Sequence, residues 1–194
     1  KFAPEKSHEE VQKNLAIVRN RLIELKDERK IIKTVPQFVP AGQTTQMVIG
    51  AHQETDQQII QMADHHYKTF KLKRVYYSGY IPINEEEKAL PALGSAPPLL
   101  RENRLYQSDW LMRFYGFEAD EIVNDQHPHL DLDIDPKLSW ALRHPELFPV
   151  DLNTAEYQMI LRVPGIGVRS AKKIVSARRF GQIRTDQLKK LGIA

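Results

Sequence analysis

The residues with the clearest chemical purpose are Val163-Pro164-Gly165-Ile166-Gly167-Val168, followed closely by Arg169, Lys172 and Lys173. Glycines on either side of one apolar residue let a backbone turn tightly and meet a ligand with no Cβ in the way. The turn opens onto an amphipathic run containing Ala171, Ile174, Val175 and Ala177. At the start of such a helix, unpaired amides and the positive end of the dipole favour a phosphate. Ile166 would plug the core behind the turn. Arg169, Lys172 and Lys173 stand where they can neutralise a nucleic-acid backbone, a contact that positions a protein without reading bases. The alternative is a purely structural pair of helices joined by a glycine turn. Metal chemistry has a weaker claim. Asp131, Asp133 and Asp135 alternate near His127 and His129 like the start of a calcium loop. However, Pro136 stands where that loop needs glycine, and Leu142 where it needs a bidentate glutamate. A polar turn ending in a helix cap is the expected reading, with no metal. His65 and His66 are adjacent on an expected helix and point about 100° apart, so they cannot share a metal on one face.

These residues need elements to hold them. Asn153 and Glu156 have capping-box spacing before an apolar helix with Ala155, Met159, Ile160 and Val163. Downstream, Thr185 is expected to cap a short helix with Leu188 and Leu191, and Gly192-Ile193 begins what reads as a second hairpin. The sequence stops where that hairpin would turn, which reads as a chain cut short. Upstream, Ser7 and Glu10 have capping-box spacing before Val11, Leu15, Val18, Leu22 and Leu25. That stripe predicts a helix to about Lys33, packed on a sheet or, alternatively, on a coiled-coil partner. A β-rich run at 44–50, a helix capped by Thr55 and running to Phe70, and a strand at 73–81 together make a βαβ unit with parallel strands. Two strands are too few for a parallel sheet, so more are expected from elsewhere. Tyr106, Trp110 and Phe114 recur at spacings of four, and such a stripe is expected to be core rather than a base-stacking platform. Asp135-Pro136 predicts a helix start, with Leu138, Trp140, Ala141 and Leu142 following.

Composition narrows the classes. The chain has 194 residues, a net charge of +3 and no cysteine. Absent cysteine excludes disulfide scaffolds, thiolate zinc sites, catalytic thiols and clusters held by the chain's own thiolates. No apolar run is long enough for a membrane-spanning helix, and the first residues lack a signal-peptide core. A cytoplasmic location is the expectation. The charge is segregated: residues 118–150 carry eight acidic and two basic groups, and residues 151–194 carry nine basic and three acidic groups. A compact cationic stretch is the footprint of a polyanion partner.

Residue by residue, Leu161, Pro164, Gly165, Ile166, Gly167 and Ala171 resemble the helix-hairpin-helix motif. The resemblance implies DNA backbone binding by Gly165, Ile166, Gly167, Val168, Arg169, Lys172 and Lys173. Wider blocks, 40–47, 74–82, 98–107, 133–138 and 143–149, resemble the putative DNA modification/repair radical SAM proteins, often found beside a uracil-DNA-glycosylase-like partner. Linker composition at 84–98 and the helical pattern beyond it divide the chain into an α/β plus all-α fold, an α/β part at 1–83 and a helical domain at 99–194 with the hairpins at 153–194, and the resemblance implies that the α/β part is the closing portion of a partial TIM-type barrel. It further implies S-adenosylmethionine near Gln43, Thr44, Thr45 and Gln46, because barrel ligands sit at strand C-termini. The family holds a four-iron four-sulfur cluster with three cysteines, and this chain has none. Radical generation therefore cannot come from these residues alone. The expected function is sequence-tolerant DNA binding, with two alternatives. One is a helical module that docks a repair protein; the other is a working radical SAM protein whose cluster domain lies outside this sequence.

Overall fold

The computed structural model describes residues 7–83, 90–96 and 98–193. The expected linker at 84–98 therefore falls partly outside the described residues. Helix α1 (His8–Ile31) is capped by Ser7, whose hydroxyl accepts from the Glu10 amide at 3.1 Å. It ends at Ile31, short of the expected Lys33. None of its residues is buried. Leu15 and Ala16 touch the core, and Arg19 donates to the Thr69 carbonyl at 3.1 Å, but the rest of the apolar stripe is at most half-buried.

The βαβ unit forms as the sequence predicts. Strand β1 (Thr44–Ile49) and strand β2 (Arg74–Gly79) pair in parallel, Thr44 opposite Arg74 through Ile49 opposite Gly79. Between them runs α2 (Asp56–Phe70), closed at its start by a complete capping box of Thr55 and Gln58. It buries Ile59, Ala63, His66 and Phe70 at spacings of four, three and four, with Ile60 beside them, as a helix face must. His66 has its Nδ1 at 2.6 Å from the Met62 carbonyl oxygen, and burial holds its pKa below the usual value. The sheet has two strands among the described residues. The structure itself does not show a barrel.

The outer edge of β2 is closed by side chains. The Val75 amide donates to the Tyr67 hydroxyl at 2.9 Å, and the Gly79 amide to the Glu102 carboxylate at 2.8 Å. Between them the Tyr106 hydroxyl accepts from the Tyr77 amide and donates to the Tyr77 carbonyl, both at 3.0 Å. Tyr106 and Glu102 come from α3 (Leu99–Tyr115), which lies along this edge. Tyr67 donates in turn to Asp109, a fully buried carboxylate that also pairs with Arg113 at 3.0 Å. Burial, and then the bond to Asp109, hold the Tyr67 hydroxyl above its usual pKa, so it stays a donor.

The buried face of α3 is Leu105, Ser108, Asp109 and Leu111. This corrects the expected aromatic core stripe: Trp110 and Phe114 are 54% and 50% exposed. The polar pair could take the inner face because both side chains are bonded, Ser108 to the Arg104 carbonyl and Asp109 to Tyr67 and Arg113. The short α4 (Ala119–Ile122) and α5 (Pro136–Arg143) complete this half. One buried cluster runs from Ile49 in β1 to Trp140 and Ala141 in α5. Asp56, nearly fully buried, ties it across the chain by accepting from Arg101 Nε at 2.6 Å and from the Leu130 amide at 2.8 Å. A second cluster belongs to α6 (Tyr157–Arg162), α7 (Val168–Ala177) and α8 (Thr185–Lys190), built on Ile160, Leu161, Ile166, Ala171, Ile174 and Ile183.

Replacing Tyr106 with Phe removes both partners of the Tyr77 peptide groups and little volume. The expected loss is about 1–3 kcal/mol, the cost of leaving buried backbone groups unmet. Urea unfolding of the variant against the wild type measures it.

Candidate nucleic-acid interface

Helix α6 stops when the Val163 amide reaches back to Ile160 and the Ile166 amide reaches back to Val163 at 3.1 Å. Gly165 takes φ +82°, in the left-handed region where a side chain is strained, and it is exposed. Ile166 turns inward, 8% exposed, among Ile160, Leu161, Ala171 and Ile174. Ala171 has no exposed surface, and its amide donates to the Gly167 carbonyl at 2.8 Å as α7 begins. No side chain caps α7. Its first amides are therefore left to meet solvent or a ligand.

Among the expected phosphate ligands, Arg169 and Lys172 are exposed and make no hydrogen bond or ion pair among the described residues. Lys173 has structural work: its Nζ donates to the Leu191 carbonyl at 2.7 Å, tying α7 to the end of α8. Gly192 follows with φ +68°, and the Ile193 amide reaches back to the Leu188 carbonyl at 3.0 Å. The expected cap at Thr185 is corrected, since Thr185 is the first helical residue and Arg184 precedes the helix. The Gln187 side chain does the capping, accepting from the Arg184 amide at 2.8 Å.

The expected capping box at Asn153 and Glu156 is corrected too. The Asp151 carboxylate captures the Asn153 amide at 3.0 Å and the Thr154 hydroxyl at 2.9 Å, so the chain turns there before helix α6 starts at Tyr157. Asn153 is freed for a longer reach. Its Oδ1 accepts from the Ile183 amide at 2.7 Å and its Nδ2 donates to the Ile183 carbonyl at 3.2 Å. Arg178 closes the same seam by donating to the carbonyls of Leu152 and Ala155.

Three residues fasten the hairpin to the rest of the molecule, and sequence reasoning missed their roles. Arg162 donates from Nη2 to both carboxylate oxygens of Glu121, at 2.7 and 2.9 Å, and from Nε to Oε1 at 3.3 Å, while lying over the rings of Phe117 and Trp140. The Tyr115 hydroxyl lies so close to Gly167 that an added Cβ would meet it at 3.4 Å. Lys137, only 7% exposed, donates from Nζ to the Ile166 carbonyl at 2.5 Å and sits over the Tyr115 ring. A lysine two positions beyond an Asp-Pro helix start carries no sequence signal for such a bond, which spans 29 positions.

The aspartate run behaves as a polar turn. Asp131 accepts from the amides of Asp133 and Ile134, and Asp135 accepts from those of Lys137 and Leu138. Thr44, Thr45 and Gln46 open β1 and Gln43 precedes it, at the end opposite the strand C-terminus where a barrel ligand was expected. Gln43 is buried and donates to the carbonyls of Leu15 and Phe70, at 3.2 and 2.7 Å. It binds α1 to the end of α2.

Burial pushes the Lys137 ammonium from its ordinary 10.5 down to about 8. Below that, folded and unfolded chains both carry the proton, and the cost of burying the charge is present in full. As pH rises above about 8 the folded state sheds the proton first, so the unfolded state binds more protons and stability increases. Thermal unfolding across about pH 8–10 should show this gain in the wild type and lose it in Lys137→Met, the difference between the two isolating this lysine from other groups.

Comparison with curated proteins and with solved structures finds no match. A family model does match part of the chain, the helix-hairpin-helix motif, over residues 148–191. That span contains α6, the glycine turn, α7 and α8. The C-terminal unit of this chain is thus a helix-hairpin-helix element, and it points to nucleic-acid binding.

Proposed function

We propose that the chain binds DNA through its backbone, with little regard to sequence, and does so as part of a radical SAM DNA modification or repair protein. The observation that carries the first half is the uncapped start of α7. Its amides open at a glycine turn beside Arg169 and Lys172, two exposed cations with no hydrogen-bond or ion-pair partner among the described residues. A phosphate there would gain amide donors, the helix dipole and two charges at once. Amides, a helix dipole and two cations gathered at one turn suit a phosphate, and a phosphate contact carries no sequence information, so discrimination between paired sequences should be weak.

The second half rests on the wider sequence blocks. The βαβ unit supports it to the extent that its strands are parallel and β2 is already closed on its outer side. This would make β2 a terminal strand, with β1 facing further strands. The chain's own residues do not fit a thiolate-held four-iron cluster, since it has no cysteine, and no chemical step is assigned to them. S-adenosylmethionine, if bound near β1, would have to do so without the Gln43 amide nitrogen, which is already committed. A uracil-DNA-glycosylase-like partner would find the acidic segment 118–150 the natural surface for its basic groups. No helix among the described residues is long and apolar enough to cross a membrane.

The test is a salt titration of binding to duplexes of unrelated sequence. The wild type should bind them alike, with log affinity falling steeply against log salt. Arg169→Ala together with Lys172→Ala should flatten that slope by about 1–2, one for each lost phosphate contact. An unchanged affinity and slope would remove the hairpin from the binding surface.

A further inference from the structure

Beside the hairpin lies an open groove of about 660 Å³ between α3 and the start of α5. Its walls include Asn103, Tyr106, Gln107, Trp110, Tyr115 and Lys137. We propose that this groove takes an unpaired nucleobase from the strand whose backbone the hairpin holds, an inference that rests on the DNA-binding reading above.

The chemistry of the walls selects a flat, neutral, hydrogen-bonding guest. Trp110 is 54% exposed at the groove, held edge to face against Phe114 with centroids 5.6 Å apart. A half-exposed indole fixed by a second ring is a stacking platform, and every base has a face to offer it. Asn103 and Gln107, one helical turn apart on α3, are exposed on the same flank. The Asn103 side chain makes no hydrogen bond among the described residues, and the Gln107 side chain uses only its Oε1, accepting from Arg104 at 2.8 Å. That leaves amide donors and an acceptor beside an aromatic face, the combination that meets the edge of an unstacked base. Asp135, which also lines the groove, offsets one of its two cations, Arg104 and Lys137, and leaves a single net positive charge. Phosphates are better served on α7.

The groove is continuous with the hairpin through two side chains. Tyr115 forms its wall and places its hydroxyl against Gly167, at the start of α7. Lys137 forms its floor, nearly buried, and grips the Ile166 carbonyl from behind the turn. A strand with a phosphate at the α7 amides therefore has its neighbouring nucleotide beside Tyr115. Duplex DNA keeps its bases stacked inside. Single strands, or a base turned out of a duplex, do not.

The experiment compares a short single-stranded oligodeoxynucleotide with the same strand built on abasic spacers, using the full chain. Intrinsic fluorescence follows it, since Trp110 is half-exposed and the other tryptophan, Trp140, is 3% exposed. The base-bearing strand should bind about tenfold more tightly than the abasic one and quench the exposed indole, in line with the worth of one stacked base. Trp110→Ala should abolish that preference and leave the salt slope intact. Asn103→Ala with Gln107→Ala, both exposed positions, should reduce the preference while keeping the quenching, and they serve if Trp110→Ala folds poorly. Equal affinity for the two strands in the wild type, or an indole that stays unquenched, would overturn the groove. Arg169→Ala with Lys172→Ala should instead weaken both strands equally and flatten the slope. A chain that keeps its slope in that variant but still prefers bases would fail the hairpin reading and spare the groove.

Discussion

A parallel pair of strands leaves peptide groups with nothing to bond on either side, and most of this molecule is arranged around supplying one of those sides. Tyr67, Tyr106 and Glu102 take the outward amides of Val75, Tyr77 and Gly79 in turn. Two of the three suppliers lie on α3, so α3 cannot shift along the strand without stranding buried donors. Asp109 then fixes Tyr67, and Arg113 fixes Asp109. The apolar contacts of Leu105 and Leu111 hold α3 against the core, and hydrogen bonds of defined length fix where along the strand it sits.

From that placement the functional end is built outward. Tyr115 closes the last turn of α3 and meets Gly167, while Gly116 ends the helix at φ +68° and lets the chain swing back to Glu121. There Arg162 docks with three hydrogen bonds and two ring faces. Each connection joins the second buried cluster to the first by a polar tip on an apolar stem. A wholly apolar joint would bury more surface, but it would not orient the glycine turn. Directional bonds to a backbone carbonyl and a carboxylate do.

Sequence patterns were informative where one residue type serves one local purpose. The strands, the capped α2, the Asp135 cap and the hairpin with its plugged Ile166 all follow from spacing. They failed where a polar residue went inside or a cap was outbid. On α3 the periodicity of Tyr106, Trp110 and Phe114 pointed to the core, but Ser108 and Asp109 took that face once Arg104, Arg113 and Tyr67 satisfied them. At 153–156 the capping spacing was present, yet Asp151, two positions earlier, captured the Asn153 amide first. Lys137 and Arg162 were invisible for another reason: their partners lie 29 and 41 positions away, and one local segment cannot announce them. Gln43 is the reverse case, a polar residue at a strand opening whose use is to join two helices.

The bond between Asn153 and Ile183 carries a consequence for where this unit ends. A side-chain amide that both accepts from and donates to one backbone position imitates the pairing of a neighbouring strand. Ile183 is itself 8% exposed within the second cluster. The segment from 183 onward is therefore not an appendage to the first hairpin but its lid. Cutting the chain just before Ile183 would remove one buried member of the second cluster together with Leu188 and Ile193, which pack against it, and would strand the Asn153 amide, so the piece that keeps this unit whole reaches through α8.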